Sequence, residues 1–307
     1  MTNYNEGFLG RKLDPKLEEI LEKFSDELYK VTKFGADIIK LDLESESKND
    51  RSIIATLLLR NYIELVDSIS LLIKSASTDP CKPLLRICLE TLFYIKYLIT
   101  DDQERRASSF IVWHTHKNLK NYLKFDGRSV AHKETVAKFR KDRYLKNESE
   151  FIYDKSEEAI VNAQSLLTLP QYVEINNEYL KEHRTRKNPN WYSLFGGPKD
   201  IEQLAAHLNM QAMYEGFYRS WSHASHGTDI LQGKLANNGS GGAEIIQIRY
   251  PKDAQHITHY AFILSVSLFQ TFIEKRIPEK IDFFSEWYLS IRDFYMSLSS
   301  HKYLNPQ

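Results

Sequence analysis

Cysteine is scarce in this sequence: its 307 residues include two, Cys81 and Cys88. They lie seven positions apart in a stretch whose apolar residues recur at helical spacing. We therefore expect both to pack as small hydrophobic side chains rather than to form a disulfide or a metal site. This cysteine usage favours a reducing compartment, and the sequence predicts a cytoplasmic location.

A surplus of charge of either sign is also missing, because 41 Lys and Arg balance 41 Asp and Glu. Proteins that bind nucleic acid over a broad surface rely on an excess of Lys and Arg to contact phosphates. The composition therefore argues against that class of protein, although it leaves room for a small local basic site.

No hydrophobic run is long enough to cross a membrane. The most apolar stretch, residues 83–100, is interrupted by Arg86, Glu90 and Lys96, whereas a spanning helix needs about 20 residues with few charges. The first 14 residues lack the apolar core of a signal peptide. The sequence predicts a soluble protein with no membrane partner.

Internal repeats and linkers rich in proline or serine are absent as well, which favours one domain over residues 1–307. Hydrophobic residues recur at helical spacing through most of the chain. Asp14–Pro15 and Asp101–Asp102 have the residue types that begin helices. We predict an all-α fold, a single multi-helix bundle whose core comprises residues 51–127 and 200–299.

The middle of the chain, residues 129–187, has a different character. It is rich in Lys, Glu, Asn and Tyr and is interrupted by Pro170. We interpret it as a helical elaboration of one or two long, largely solvated helices, whose basic residues lie on solvated faces. Residues 244–250 alternate like a strand after a glycine-rich turn, so the prediction includes at most a short β-hairpin near residues 235–250.

Residues 210–227, MQAMYEGFYRSWSHASHG, form the most informative stretch and predict a helix that stops at its final glycine. Tyr218, Ser222 and His226 would follow one another along one face, and Arg219, His223 and His226 along a second. A helix that only packs would place Leu and Val there. These side chains donate, accept and titrate, so the stretch predicts a functional site.

A second group of charges lies on the predicted helix that carries PLLRICLE. Arg86 and Glu90 are four residues apart and therefore neighbours on one face, but they are surrounded by apolar side chains. One interpretation is an ion pair at the rim of the core. The other is a fixed cation that meets the Tyr218 face across a helix contact, where Arg could bind a carboxylate or phosphate.

His226 is the strongest single candidate, because histidine titrates near neutral pH and belongs to both faces of the predicted helix. A cap for the last helical carbonyls is the alternative role. Ser222 and His226 lack a recognisable acidic partner or oxyanion loop, so a hydrolase triad is not expected. The His223–His226 spacing lacks acidic or cysteine ligands nearby, and we predict no metal and no cofactor.

The combination of PLLRICLE, WYSLFGG, IEQLA and YRSWSHASHG resembles an uncharacterised, widespread bacterial family, a domain of unknown function. That family has an R-x3-E helix and a later Y-x3-S-x3-H helix, which correspond here to Arg86–Glu90 and Tyr218–Ser222–His226. The resemblance covers about residues 51–273. It implies an all-helical fold and no settled activity.

A looser resemblance is to HEPN ribonucleases, helical bundles with an R-x4–6-H motif near a helix end; Arg219 and His226 have this spacing. The resemblance implies a metal-independent, RNA-cleaving toxin or defence-type protein that acts as a homodimer. Arg219 would hold the scissile phosphate and His226 would assist attack by the 2′-hydroxyl. Ser220 departs from the family, which favours Asn, Asp or His after the Arg.

Two functions therefore remain open, with RNA or a small anionic ligand as the partner. The first is an endoribonuclease in which Arg219 and His226 are catalytic. The second is a non-enzymatic sensor or interaction module whose pocket contains Arg86, Glu90, Tyr218, Ser222 and His226. A merely structural polar network is a third interpretation. Arg219 facing solvent, with Arg86 and Glu90 converging on Tyr218, Ser222 and His226, would count against the ribonuclease, and a symmetric dimer that joins two Arg219–His226 pairs would support it.

Overall fold

The computed structural model describes residues 4–45, 53–144, 155–225, 233–237, 239 and 241–304. Almost all of its regular structure is helical, and the α-helices are as follows: α1 Tyr4–Leu9, α2 Pro15–Glu44, α3 Ile53–Lys74, α4 Cys81–Thr100, α5 Gln103–Phe125, α6 Val130–Phe139, α7 Ser156–Leu167, α8 Pro170–Thr185, α9 Ile201–His207, α10 Gln211–Met213, α11 Arg219–Ser225, α12 Ala254–Arg276 and α13 Ile281–Ser300.

Short elements complete the fold. Trp191–Gly196 and Pro278–Lys280 are 3-10 helices, and Tyr214–Tyr218 is a π-helical turn between α10 and α11. β1 Leu235–Asn237 pairs antiparallel with β2 Ala243–Ile245. The prediction of an all-α fold with a short β-hairpin is confirmed, although β2 ends at Ile245 and the predicted strand ran to Tyr250.

The chain divides into two compact units, residues 1–101 with 201–307 and residues 102–200. This boundary differs from the predicted one, which placed residues 51–127 in the core and began the elaboration at residue 129. Helix α5 lies in the second unit because it packs along α7, α8 and α6.

In the first unit, α3 packs between α2 and α4, and α12 contacts α4, α2 and α13. Fully buried phenylalanines from three of these helices fill the core: Phe24, Phe93, Phe262, Phe269 and Phe272. Cys81 and Cys88 are both free and buried, as predicted. Among the described helices, none combines the length and the apolar character that crossing a membrane requires.

A buried ion pair joins the ends of two long helices of this unit. Arg276 at the end of α12 donates from Nε and Nη2 to the two carboxylate oxygens of Asp42 in α2, both at 3.1 Å. The Asp42 side chain is fully buried and that of Arg276 is 6% exposed. The Thr56 hydroxyl of α3 also donates to Asp42. Three helices are thus tied together by one carboxylate.

The second unit has a small core of its own. Tyr172, Ile175 and Tyr179 of α8 are buried together with Val112 of α5 and Leu194 of the 3-10 helix. The structure has three helices in this region, α6, α7 and α8, where one or two were predicted. Most of their residues are exposed or half-buried, as predicted, but the tyrosines of α8 face a core. Pro170 is the first residue of α8, where its fixed φ favours a helix start.

The predicted helix starts had different outcomes. Asp14 caps α2, since its carboxylate accepts from the Lys16 N–H at 2.9 Å. Asp102 occupies the cap position of α5 but has a left-handed backbone and makes no side-chain cap bond. Its carboxylate instead contacts Arg105 at 2.7 Å. The predicted start of α5 is therefore correct, but the side-chain cap bond expected of Asp102 is not formed.

Candidate functional site

The candidate site lies where helix α4 meets the segment from α10 to α11. This segment is helical from Gln211 to Ser225, but its centre is a π turn over Tyr214–Tyr218. The Arg219 N–H accordingly bonds to the Tyr214 carbonyl, five residues back. Such turns insert one extra residue into a helix and recur at functional sites. Regular α spacing, on which the predicted faces were based, does not hold through this turn.

Arg86 of α4 contacts Tyr218 directly. Its Nη2 donates to the Tyr218 hydroxyl oxygen at 2.7 Å, and the guanidinium carbon lies 4.6 Å from the centre of the tyrosine ring. The same Nη2 lies 3.2 Å from Glu90 Oε1. The two interpretations of Arg86 are therefore compatible, because one guanidinium makes the ion pair within α4 and the contact to the π turn.

This cluster is largely but not fully enclosed. The Arg86 side chain is 20% exposed and that of Glu90 24%. Arg86 Nε is buried and has no hydrogen-bond partner among the described residues. A buried donor left unpaired costs about 1–3 kcal/mol, so folded proteins rarely retain one without cause.

The surroundings keep Arg86 charged and Tyr218 neutral. Burial lowers the pKa of Arg86, but the hydrogen bond to Tyr218 and the charge of Glu90 raise it by more. Burial raises the pKa of the Tyr218 phenol, and Glu90 raises it further against the opposing effect of Arg86. The site therefore presents a permanent cation beside a hydroxyl that retains its proton at neutral pH.

A second tyrosine orients the first. Tyr214 stacks on Tyr218, with ring centres 5.1 Å apart and ring planes at 19°. On the far side, the guanidinium carbon of Arg219 lies 5.4 Å from the Tyr214 ring centre. The order Arg86, Tyr218, Tyr214, Arg219 is thus a column of two stacked rings between two cations, an arrangement favoured by cation–π attraction. It restricts the orientation of the Tyr218 hydroxyl.

Arg219 lies at the outer end of this column. Its side chain is 54% exposed, and its nitrogens lie 3.1 Å from Glu215 Oε2 and 3.6 Å from Glu202 Oε2. Tyr214 also donates to Glu202, at 3.4 Å. The charge of Arg219 is thus shared between two carboxylates at the surface, in contrast to the enclosed Arg86.

The remaining predicted residues are on α11 or beyond it. Ser222 is half-buried and His223 is exposed. His226, the strongest candidate in the sequence, and the predicted stop at Gly227 lie outside the described residues. On the opposite side of the segment, Trp221 is buried and Phe217 packs 4.6 Å from the ring of Tyr260, which anchors the segment to α12.

Sequence reasoning gave no role to three residues of this cluster: Tyr214, Glu215 and Glu202. Two of them had a usable signal, because Tyr214 precedes Tyr218 by four residues and Glu215 precedes Arg219 by four, a spacing that places side chains together on helices. Glu202 comes from α9, and nothing local in the sequence connects it to Arg219.

A family model described as a family of unknown function, DUF5677, matches residues 52–242. The chain belongs to this family. The match includes Arg86, Glu90, Tyr218 and Arg219, and it covers most of the range over which the resemblance to an uncharacterised family was predicted. No curated protein and no solved structure matches the chain.

Proposed function

We propose that this DUF5677 protein is a non-enzymatic sensor or interaction module of the cytoplasm, which binds a small anionic ligand at Arg86, Glu90 and Tyr218. The observation that carries the proposal is the state of the Arg86 guanidinium. It is enclosed and held by Tyr218 and Glu90 through one nitrogen, while its buried Nε has no acceptor among the described residues.

The chemistry of the ligand follows from the geometry of arginine. A guanidinium offers five N–H donors in a planar fork that matches the oxygens of a carboxylate or phosphate. Because burial in a low-dielectric surrounding strengthens such contacts, an enclosed fork is a better anion receptor than an exposed one. The Tyr218 hydroxyl, oriented by stacking on Tyr214, adds a neutral polar group beside the fork.

The test is a thermal-shift screen of small carboxylates and phosphates, followed by calorimetry on any compound that stabilises the protein. Arg86→Lys keeps the charge but removes the fork, and we expect it to weaken binding at least tenfold. Tyr218→Phe should weaken it by a smaller factor, since it removes only the hydroxyl.

Arg60→Lys is the matched control. Arg60 and Glu64 form the same i, i+4 pair on α3, but both side chains are more than half exposed. This variant should bind the ligand as the wild type does. A ligand that binds Arg86→Lys and the wild type equally well would overturn the proposal, as would a screen in which no anion stabilises the protein.

The ribonuclease hypothesis stays a prediction. It requires Arg219 and His226 to act together on RNA, in a homodimer that joins two such pairs. The surface position of Arg219 between Glu202 and Glu215 does not favour it, because a phosphate would have to displace two carboxylates. We therefore rank it second.

A further inference from the structure

The second unit contains a cleft that is independent of the Arg86 site. It has a volume of about 690 Å³ and is lined mainly by α5 and α8, together with Asn188 and Pro189 ahead of the 3-10 helix. Cavities that hold small-molecule ligands have volumes of about 300–1,000 Å³, so this cleft has a suitable size.

The cleft is basic. Lys117, Lys120 and Lys124 follow one another along one face of α5, and no Asp or Glu lines the cleft among the described residues. This is unusual for a chain with equal numbers of basic and acidic side chains.

The three lysines have neutral partners. The Lys117 ammonium lies 3.9 Å from the ring centre of Trp113, and Lys120 and Lys124 donate to the amide oxygens of Asn188 and Asn121, each at 3.3 Å. None of the three forms an ion pair with a carboxylate of the described residues.

Some lysines elsewhere in the structure do have carboxylate partners. Lys74 lies 2.7 Å from Glu22, and Lys181 of α8 lies 3.0 Å from Glu178. Three like charges along one helix face repel one another. An anion in the cleft would remove that repulsion.

Aromatic rings also line the cleft. The ring of His116 on α5 stacks on that of Tyr179 on α8, with centres 4.1 Å apart and planes at 10°, and His116 Nε2 is hydrogen-bonded to Asn176 Oδ1 at 2.7 Å. Burial, together with the nearby His183, lowers the pKa of His116, while the bond to Asn176 opposes this shift. The imidazole is therefore uncharged at neutral pH and presents a flat ring in the cleft.

We propose that this cleft binds a nucleotide, that is, a ligand with a phosphate chain and a planar aromatic ring. Lys117, Lys120 and Lys124 contact the phosphates, and the base stacks on the aromatic rings that line the cleft, which are those of Trp113, His116 and Tyr179. The lysines extend over seven residues of helix, about 10 Å. That distance suits a di- or triphosphate, whereas a nucleic-acid strand would need a longer basic track.

The aromatic rings of the cleft favour a ligand with a planar ring over a simple phosphate. The cleft is much larger than a phosphate ion, and stacking of a base on an aromatic side chain contributes about 1–3 kcal/mol. We therefore expect ATP to bind more tightly than pyrophosphate, which lacks the base, and more tightly than adenosine, which lacks the phosphates.

The experiment is calorimetry on the full chain with ATP, pyrophosphate, adenosine and a single-stranded RNA oligonucleotide. The double variant Lys117→Gln with Lys120→Gln should weaken ATP binding at least tenfold. Lys181→Gln, which removes a charge on α8 away from the cleft, is the matched control and should leave the affinity unchanged. Thermal melts of each variant establish that it is folded.

Four results would overturn the inference. The first is that ATP does not bind at millimolar concentration, and the second is that the double variant binds ATP as tightly as the wild type does. The third is that pyrophosphate binds as tightly as ATP, and the fourth is that RNA binds and ATP does not displace it. The lysine double variant tests the cleft, and Arg86→Lys tests the anion site of the first unit, so failure of one proposal is distinguishable from failure of the other.

Discussion

At the scale of single residues, two arginines on either side of one aromatic column differ in what they can do. Arg86 is enclosed, bonded to Tyr218 and left with a buried Nε that has no acceptor among the described residues. Arg219 is more than half exposed and lies between two carboxylates. Because an enclosed guanidinium binds an anion in a lower dielectric than a surface one, Arg86 is the better receptor.

This difference leads to a prediction about RNA. In buffer with a metal chelator, we expect wild type, Arg219→Ala and His226→Ala to leave single-stranded RNA equally intact, since the carboxylates of Glu202 and Glu215 already neutralise Arg219. Gel analysis of labelled RNA is the measurement. Metal-independent cleavage by the wild type that disappears in both variants would instead support the ribonuclease hypothesis.

At the scale of elements, close helix packing in the first unit depends on a glycine. A Cβ atom on Gly35 of α2 would lie 2.7 Å from the Ile63 side chain of α3 and 3.0 Å from Phe269 of α12. Three helices therefore approach one another at a position with room for a hydrogen atom only. Interiors packed at crystal density cannot absorb an extra methyl group without displacing a neighbour.

We predict that Gly35→Ala lowers the free energy of unfolding by about 1–3 kcal/mol, the usual cost of overpacking. Gly7→Ala is the control, because Gly7 is also helical but its Cβ would meet nothing within 4 Å. There, alanine should be neutral or stabilise the protein by up to about 1 kcal/mol through its helix propensity. Urea denaturation measures both changes, and equal effects of the two substitutions would refute the packing argument.

At the scale of the whole molecule, each of the two units is stabilised by a different kind of core. The first has a large aromatic core closed by the buried Asp42–Arg276 pair, and the second has a small core of tyrosines and aliphatic side chains. The Asp42 carboxylate accepts hydrogen bonds from α3 and α12, so one buried charge joins three helices.

We predict that Arg276→Met destabilises the protein by about 3–5 kcal/mol, because it removes the guanidinium that pairs with the buried Asp42 carboxylate. Adding Asp42→Leu should recover much of that loss, since the buried charge is then removed as well. Arg60→Met, which breaks the exposed pair with Glu64, should change stability by less than about 1 kcal/mol. A double variant no more stable than Arg276→Met in urea titrations would contradict this explanation.

Much of the helical fold could be predicted from the sequence, and the places where prediction failed share a cause. Apolar spacing located α3, α4 and α12, whose buried residues recur every three or four positions. The polar composition of residues 129–187 concealed the core of the second unit, because Tyr172 and Tyr179 pack against residues of α5 and the 3-10 helix that are far away in sequence. The π turn had no local signal.

The sequence by itself determined the helical fold, the free buried cysteines and the pairing of Arg86 with Glu90, because each depends on residues a few positions apart. Only the tertiary structure decided which partners meet across the chain. Arg86 bonds to a tyrosine 132 residues away, Asp42 to an arginine 234 residues away, and the lysines of α5 line one cleft together with rings of α8. Such contacts depend on how whole helices pack, and helix packing is set by the sum of many weak interactions that no short stretch of sequence contains.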